Sequence, residues 1–441
     1  MLSAYEIIAK KRDDHELDAQ EIKWFIDGLV AGKIEKHQMS ALLMAIYLNG
    51  FSTSETAALT DAMLYSGKTV SFDGQHVVDK HSTGGIGDKA SFILAPLAAA
   101  CGIQVPMIAG RGLGHTGGTI DKVEAIEGFK TSLSLEDFKK QVQGLGIALI
   151  GQTKDIAPAD KMIYALRDIT ATIESIPLIT ASIMSKKLAE GAAGIVMDIK
   201  VGNGAFMANK SKARALATSI RKTGLRFNKN MVTVLTDMNQ PLGFAVGNTL
   251  EIIESIETLK GRGPKDLTDL SLHLAGAMIY AGGKAKTLKA GVAQAKKALN
   301  SGAALKVFKD MIKEQGGLDK VVDDYSLLPQ AKNQYEVCAL KTAYLKKMDA
   351  KAFGRYVVEL GGGRARLEDK IDFGVGLIFH KKIGDKVKEG EVILTIHHND
   401  DQKDLVKKIA QQIITKDLSF SKTALKNKPE LIIETQTAWS H

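Results

Sequence analysis

The stretch Asp79-Lys80-His81-Ser82-Thr83-Gly84-Gly85-Ile86-Gly87-Asp88 carries the reading of the fold. It follows the apolar pair Val77-Val78 and precedes an apolar run that opens at Ser91, so it joins a strand to a helix. Its glycines free the backbone to approach a ligand, and N–H groups at the start of a helix favour an anion. Lys80 adds positive charge, and Ser82 and Thr83 add hydroxyl donors. The pattern is neither a Walker A loop nor a dinucleotide fingerprint. As bare chemistry it reads as a phosphate loop, with a tight structural turn as the other reading.

On both sides of this stretch the chain is organised in blocks. The first 65 or so residues read as helices: Ile22, Phe25, Ile26, Leu29 and Val30 fall on one helical face, residues 39–48 form a second apolar helix, and Ser52-Thr53-Ser54-Glu55 has capping-box spacing for a third. Short Val/Ile-rich runs then alternate with helical stretches: Val77-Val78, then residues 103–109, 147–150, 195–201 and 231–237. That alternation predicts an α/β domain with a largely parallel sheet, whose ligands bind beyond the carboxyl ends of the strands. The helical stretch 158–190 interrupts it and is expected to return to the N-terminal helical domain. Residues 376–396 alternate apolar and polar around Gly384-Asp385-Lys386-Val387-Lys388-Glu389-Gly390-Glu391, the pattern of a small β-rich unit. The fold class expected is an all-helical domain (1–65 and 159–189), an α/β domain (76–150 and 193–330) and a C-terminal β-rich, hammerhead-like α+β part (345–441).

The 441 residues are 45% hydrophobic and 25% charged, values of a folded soluble protein. The net charge of +9 is spread over lysine pairs such as Lys139-Lys140, Lys186-Lys187 and Lys407-Lys408 without interleaved aromatics, which reads mostly as solvated surface and argues against nucleic acid. Cys101 and Cys338 are the only cysteines, so neither a disulfide framework nor a four-ligand zinc site is expected, and a reducing cytoplasm fits. The first 14 residues do not read as a signal peptide. The longest largely apolar stretch, 91–110, is broken by Pro96, Gly102, Gln104 and Pro106, which predicts a buried helix and strand and no membrane span.

Two further constellations bear on function. Gly110-Arg111-Gly112-Leu113-Gly114-His115-Thr116-Gly117-Gly118-Thr119-Ile120-Asp121-Lys122-Val123-Glu124 packs five glycines into one loop, with Thr116 and Thr119 as donors. Arg111 and Asp121 read equally as a structural ion pair. Ser182 and Lys186 are four apart in a helical stretch and, with Arg167, suit a polar, anionic ring; an exposed helix face is the plainer reading. His81 is a candidate proton donor, although a histidine at a strand end more often packs or caps.

Together these residues resemble the thymidine and pyrimidine-nucleoside phosphorylase family. Both glycine motifs match in order, as do the helical opening Asp27-Gly28 through Gln38-Met39-Ser40-Ala41-Leu42-Leu43-Met44-Ala45-Ile46-Tyr47 and the segment Asp237-Met238-Asn239-Gln240-Pro241-Leu242-Gly243. The resemblance implies phosphorolysis of pyrimidine nucleosides, thymidine plus phosphate giving thymine and 2-deoxy-α-D-ribose 1-phosphate, in a cytoplasmic homodimer. It places phosphate at Lys80, Ser82, Ser91 and Thr119, the pyrimidine at Arg167, Ser182 and Lys186, and catalysis at His81, Arg167 and Lys186. No redox cofactor or catalytic divalent metal is implied.

Three departures bear on these expectations. Many relatives have a serine where this chain has Ala109, so one phosphate donor is missing. Met107 stands where relatives accepting both sugars tend to carry lysine, which implies a preference for 2′-deoxynucleosides. Some bacterial relatives bind a monovalent cation at positions matching Gly87, Leu242, Ala245 and Glu254, with a threonine that is Lys89 here. The ammonium is expected either to replace the ion or to swing into solvent.

Two other readings compete. A class II phosphoribosyltransferase would hold Mg²⁺-diphosphate with an acidic pair, but the comparable strand reads Met197-Asp198-Ile199-Lys200, with lysine where a second acid would help. A biotin or lipoyl carrier would need a modifiable lysine motif in residues 376–396, and none is present.

Overall fold

A computed structural model describes residues 2–74, 76–112, 117–364 and 369–440. Thr116 and its neighbours Leu113, Gly114 and His115, named above, lie outside the described residues.

Four helices open the chain: Ala4–Arg12, Ala19–Val30, Lys36–Asn49 and Thr53–Leu64. The capping box at Ser52 forms as its spacing predicts, with the Glu55 N–H donating to Ser52 Oγ (3.2 Å) and the Ser52 N–H donating to Glu55 Oε2 (2.8 Å). Two later helices, Pro158–Ile169 and Ile176–Ala189, join this bundle, because Ala159, Ile163, Leu166, Leu178 and Ala181 bury themselves among Phe25, Leu43, Ile46 and Met63.

The sheet at the centre holds five parallel strands: β1 (Val78–Ser82), β2 (Val105–Ala109), β3 (Ile147–Gly151), β4 (Gly194–Val201) and β5 (Asn230–Asp237). Their order is β3-β2-β1-β4-β5, the join between β2 and β1 being a parallel bridge from Gln104 to Val77. Every residue of β4 is buried, as expected of a strand covered on both faces. The two-residue alternation sorts its side chains: Val196 faces one core with Leu94, Leu274 and Ile279, while Ile195, Met197 and Ile199 face another with Phe138, Leu216 and Ile220. The stretch 91–110 is the expected buried helix (Ser91–Ala100) and strand β2. No described helix is long and apolar enough to cross a membrane.

Two strands cross the boundary drawn at residue 345. Ile432–Ala438 returns to the central sheet and pairs antiparallel with β5. Asn333–Cys338 instead joins a four-stranded antiparallel sheet with Val392–His398, Gly376–Phe379 and the short strand Ala245–Val246 from the α/β part. The C-terminal part therefore shares one apolar core with the sheet domain, with Leu345, Phe353, Phe379 and Leu394 in the same cluster as Val196 and Leu274.

Candidate active site

The first glycine-rich loop leaves the carboxyl end of β1, and the second lies between β2 and helix Thr119–Val123. The first is stitched to β4: the Thr83 N–H donates to the Asp198 carbonyl (3.0 Å), and the Lys200 N–H donates to Thr83 Oγ1 (2.9 Å). Gly87 has φ +72°, and a Cβ there would lie 2.7 Å from the Leu242 carbonyl, so both conformation and space require glycine.

Three of the residues expected to hold phosphate, Lys80, Ser82 and Ser91, lie on or beside this loop. Lys80 is buried, 3% exposed, and its Nζ lies 3.5 Å from Ser91 Oγ at the start of helix Ser91–Ala100. Ser82 Oγ donates to Asp88 Oδ2 (2.5 Å) and accepts from the Gly84 N–H (3.1 Å). Thr119 opens the helix Thr119–Val123 at the end of the second loop. Burial pushes the Asp88 carboxyl upward, but Lys200, Lys80, the Ser82 hydroxyl and Lys122 outweigh it and hold the group well below the usual range. A carboxylate therefore lies inside the cationic loop, and Ser82 must turn from it to donate to an incoming anion. Arg111 proves to be structural: it pairs with Asp121 (3.1 Å) and Glu124 (2.6 Å), and Arg364 from the C-terminal part reaches the same Asp121 (2.6 Å).

Across from the loops, Ser182 and Lys186 share a face of helix Ile176–Ala189, and Lys186 Nζ donates to Ser182 Oγ (3.1 Å). The same ammonium makes a short ion pair with Asp160, which sequence reasoning did not single out. Asp160, Tyr164 and Arg167 fall at i, i+4 and i+7 of helix Pro158–Ile169, a spacing that signals one shared face. Tyr164 packs its ring 5.8 Å from the Arg167 guanidinium. Arg167 is 1% exposed and donates to the carbonyls of Thr172 (3.4 Å), Leu178 (3.2 Å) and Ile173 (2.6 Å). These three commitments leave two of the five guanidinium N–H donors.

Lys187 corrects the reading of the lysine pairs as solvated surface. It is 2% exposed and donates to Asp79 Oδ2 (2.6 Å), Glu190 Oε1 (2.8 Å) and the Ile108 carbonyl (2.9 Å), pinning the bundle to β1 and β2. Burial, with the Asp79 charge beside it, drives the Glu190 carboxyl well above its ordinary range, against the pull of Lys187. Met107 is buried in the sheet core at 3% exposure, paired with Leu149, and carries its thioether among apolar neighbours.

His81, at the end of β1, lies in the field of both sides. Desolvation first, then Lys187, Lys186 and Lys80, hold its pKa well below 6.5. The imidazole is therefore neutral at pH 7, with one ring N–H available to donate. Its titration should not shape turnover between about pH 6 and 8. We expect kcat to be flat across that range, and an acid limb centred near 6.5 that disappears in His81→Asn would contradict this.

Lys89 is fully buried. Its Nζ donates to the Leu242 carbonyl (2.9 Å), the Ala245 carbonyl (2.9 Å) and Glu254 Oε2 (2.5 Å). Every N–H of the ammonium is used, and the oxygen cradle named for a monovalent cation has the ammonium at its centre. A metal ion does not fit there together with Lys89. In the comparable acidic strand, Lys200 Nζ lies 2.7 Å from Asp198 and 3.9 Å from Asp88, so a buried lysine stands between the acids that a magnesium-diphosphate site would need. Among the described residues no cluster of three histidine, cysteine or acidic side chains could hold a metal.

Comparison with known proteins agrees along the chain. Residues 5–67 match the helical bundle domain of a glycosyl transferase family, residues 74–305 match that family's a/b domain, and residues 344–416 match the pyrimidine nucleoside phosphorylase C-terminal domain. The chain is 49% identical over 423 residues to the pyrimidine-nucleoside phosphorylases of Staphylococcus aureus strains MSSA476 and USA300, covering 95% of this chain and 98% of each of those. Among solved structures, anthranilate phosphoribosyltransferase from Thermus thermophilus superposes with TM-score 0.58 at 21% identity, covering 70% of this chain and 99% of that one. At that identity the likeness speaks to fold alone.

Proposed function

The chain belongs to the pyrimidine-nucleoside phosphorylase family, and on that premise we propose how its residues divide the work of phosphorolysis. The protein is a pentosyltransferase that cleaves the bond between a pyrimidine and its pentose with inorganic phosphate. The observation that carries the assignment of roles is the position of His81, where the cation of the phosphate-type loop, Lys80, and the cations of the facing helix, Lys186 and Lys187, act on one imidazole.

Phosphate sits on the sheet side, held by Lys80, Ser82, Ser91, Thr119 and loop N–H groups. The pyrimidine sits on the helical side against Arg167, Ser182 and Lys186. As the sugar–nitrogen bond breaks, positive charge develops on the sugar and negative charge on the ring oxygens of the departing base. Lys186 and the two uncommitted N–H groups of Arg167 stabilise that negative charge, and neutral His81 donates a hydrogen bond to the ring. Ser182 orients the base. Phosphate attacks the opposite face, so a β-nucleoside yields an α-pentose 1-phosphate. Most of the protein's contribution is positioning and charge stabilisation. Asp160 keeps Lys186 in place; Lys187, Asp79 and Glu190 hold the two sides in register.

Lys89 serves as a built-in monovalent cation behind the phosphate loop. Thymidine and deoxyuridine are the preferred substrates over uridine. Phosphate-dependent release of free base from the three, measured side by side, tests both reaction and preference; equal efficiency on uridine and deoxyuridine would remove the preference. Ala109 ends β2 where a serine would add a donor to the anion, and a hydrogen bond to a charged group is worth about 1.5–3 kcal/mol. Ala109→Ser should lower the KM for phosphate; an unchanged or higher KM means that the loop already replaces that donor. The helical bundle leaves Tyr5, Trp24, Tyr47 and Leu48 exposed, and these apolar side chains support a homodimer through this domain. Sedimentation at micromolar concentration should find twice the 47.5 kDa chain mass.

A further inference from the structure

The phosphate loop carries a negative charge of its own. Asp88 is kept ionised by Lys200, Lys80 and Lys122, and its side chain is 8% exposed, so it is not sealed from the solvent side of the loop. A carboxylate beside an anion seat repels every anion that comes there. Its hydrogen bonding shows what offsets that cost.

The carboxylate is fixed in place. Lys122 Nζ donates to the Asp88 carbonyl (2.8 Å), the Lys89 N–H donates to the Gly87 carbonyl (3.0 Å), and the Ala90 N–H reaches Asp88 Oδ1 (3.4 Å). Among the described residues Oδ2 has one hydrogen-bond donor, the Ser82 hydroxyl (2.5 Å); Lys200 Nζ stays 3.9 Å from it and pairs with Asp198 at 2.7 Å. Ser82 has a single proton to give, and its oxygen already accepts from the Gly84 N–H (3.1 Å). One proton therefore faces two acceptors. When Ser82 donates to an anion, Asp88 Oδ2 is left without a donor in a desolvated place, and a buried charged acceptor left unpaired is costly. The loop is one proton short, and the ligand is the source at hand. Inorganic phosphate carries at least one proton on oxygen at neutral pH, whereas sulfate carries none.

We propose that Asp88 is a specificity residue that selects phosphate by its proton: the P–O–H group donates to Asp88 Oδ2 while Ser82 donates to a second phosphate oxygen. This rests on the reading that phosphate sits at Lys80, Ser82 and Ser91, and it names what makes that seat selective. The exchange replaces one hydrogen bond with two. Asp88 accepts the bond without taking the proton, because the surrounding lysines favour its ionised form. Sulfate has the same shape but brings a bare oxygen against a carboxylate oxygen, and the two repel. The bond also orients the nucleophile. The protonated oxygen, the poorest nucleophile of the four, turns toward Asp88 and leaves unprotonated oxygens for the sugar.

The test is calorimetric titration of the full-length protein, without nucleoside, with phosphate, sulfate and monofluorophosphate at neutral pH. Monofluorophosphate has the charge and shape of hydrogenphosphate but carries fluorine in place of the hydroxyl. The native protein should bind phosphate at least about tenfold more tightly than either proton-free anion, the effect of one charge-assisted hydrogen bond. Asp88→Asn should weaken phosphate by about tenfold and tighten sulfate, because the amide donates where the carboxylate repels. Changes of opposite sign mark selection, since a carboxylate that only braces the loop would weaken both anions together when replaced. Lys80→Gln tests the seat itself and should weaken all three anions alike. If Lys80→Gln acts and Asp88→Asn leaves the ratio of phosphate to sulfate affinity unchanged, the seat stands and the selection fails. If Lys80→Gln leaves phosphate binding unchanged, the seat is elsewhere and the selection falls with it. Native protein that binds sulfate as tightly as phosphate overturns the proposal with no variant needed, which keeps it testable even where Asp88→Asn does not fold.

Discussion

Arg167→Ala is expected to lower kcat/KM for thymidine by about a hundredfold or more, the range seen when a charge-stabilising donor is lost from an active site. The loss should fall mainly on kcat, because negative charge on the departing pyrimidine grows as the bond breaks and is absent in the bound nucleoside. The KM for phosphate should change little, since the proposed seat of the anion is at Lys80 and the loop, apart from Arg167. The structure adds a second effect. Arg167 also ties the carbonyls of Thr172, Ile173 and Leu178 at the entry to helix Ile176–Ala189, which carries Ser182 and Lys186. Truncation strands these carbonyls, so the melting temperature should fall as well. Arg167→Lys separates the two effects: the ammonium can still serve some of these carbonyls but cannot present a planar fork to the base at the same time. It should recover stability more than turnover. A folded Arg167→Ala variant with near-native turnover would remove Arg167 from the active site.

What the sequence disclosed, and what it hid, follow the range of the interactions. The capping box at Ser52 was legible because its partners are three residues apart, and the parallel strands were legible because a covered strand must be apolar along its length. The pairing of Arg111 with Asp121 is one of two readings that the sequence allows, because the partners are only ten residues apart. Lys187 was misread because nothing within its own helix announces Asp79, which lies 108 residues earlier and meets it only when the bundle docks on β1. The same holds for Arg364, which reaches Asp121 from 243 residues away. Ile432–Ala438 was hidden for another reason: as an edge strand against β5, it is mostly half-exposed, so it lacks the apolar signature of the strands it joins. Asp160 was overlooked although its spacing to Arg167 was visible, because an acid in the first turn of a helix is ordinarily read as complementing the helix dipole.

Lys89 makes the other large prediction. The native enzyme should retain full activity after exhaustive removal of K⁺ and Na⁺, with a bulky organic cation supplying ionic strength. Its ammonium already occupies the cradle of Leu242, Ala245 and Glu254 and has no N–H to spare, and a metal ion brought within a few ångströms would meet a like charge in a buried place. Lys89→Thr should reverse this. Removing one member of a buried ion pair costs about 3–5 kcal/mol, because Glu254 is left beside two carbonyl oxygens with no cation. In the organic-cation buffer the variant should therefore melt earlier and lose activity by at least about tenfold, since the loop at Gly87 is no longer held. Added K⁺ should restore both, because threonine opens the cradle and offers its own oxygen to an ion. Lys89→Met is the control: it removes the charge, fills the cradle with an apolar chain and adds no oxygen ligand, so K⁺ should rescue it poorly. The melting curves give a readout independent of turnover, and K⁺ should shift them for Lys89→Thr but not for the native protein. A strong K⁺ requirement in the native enzyme would show that the lysine leaves the cradle in solution and that an ion takes its place.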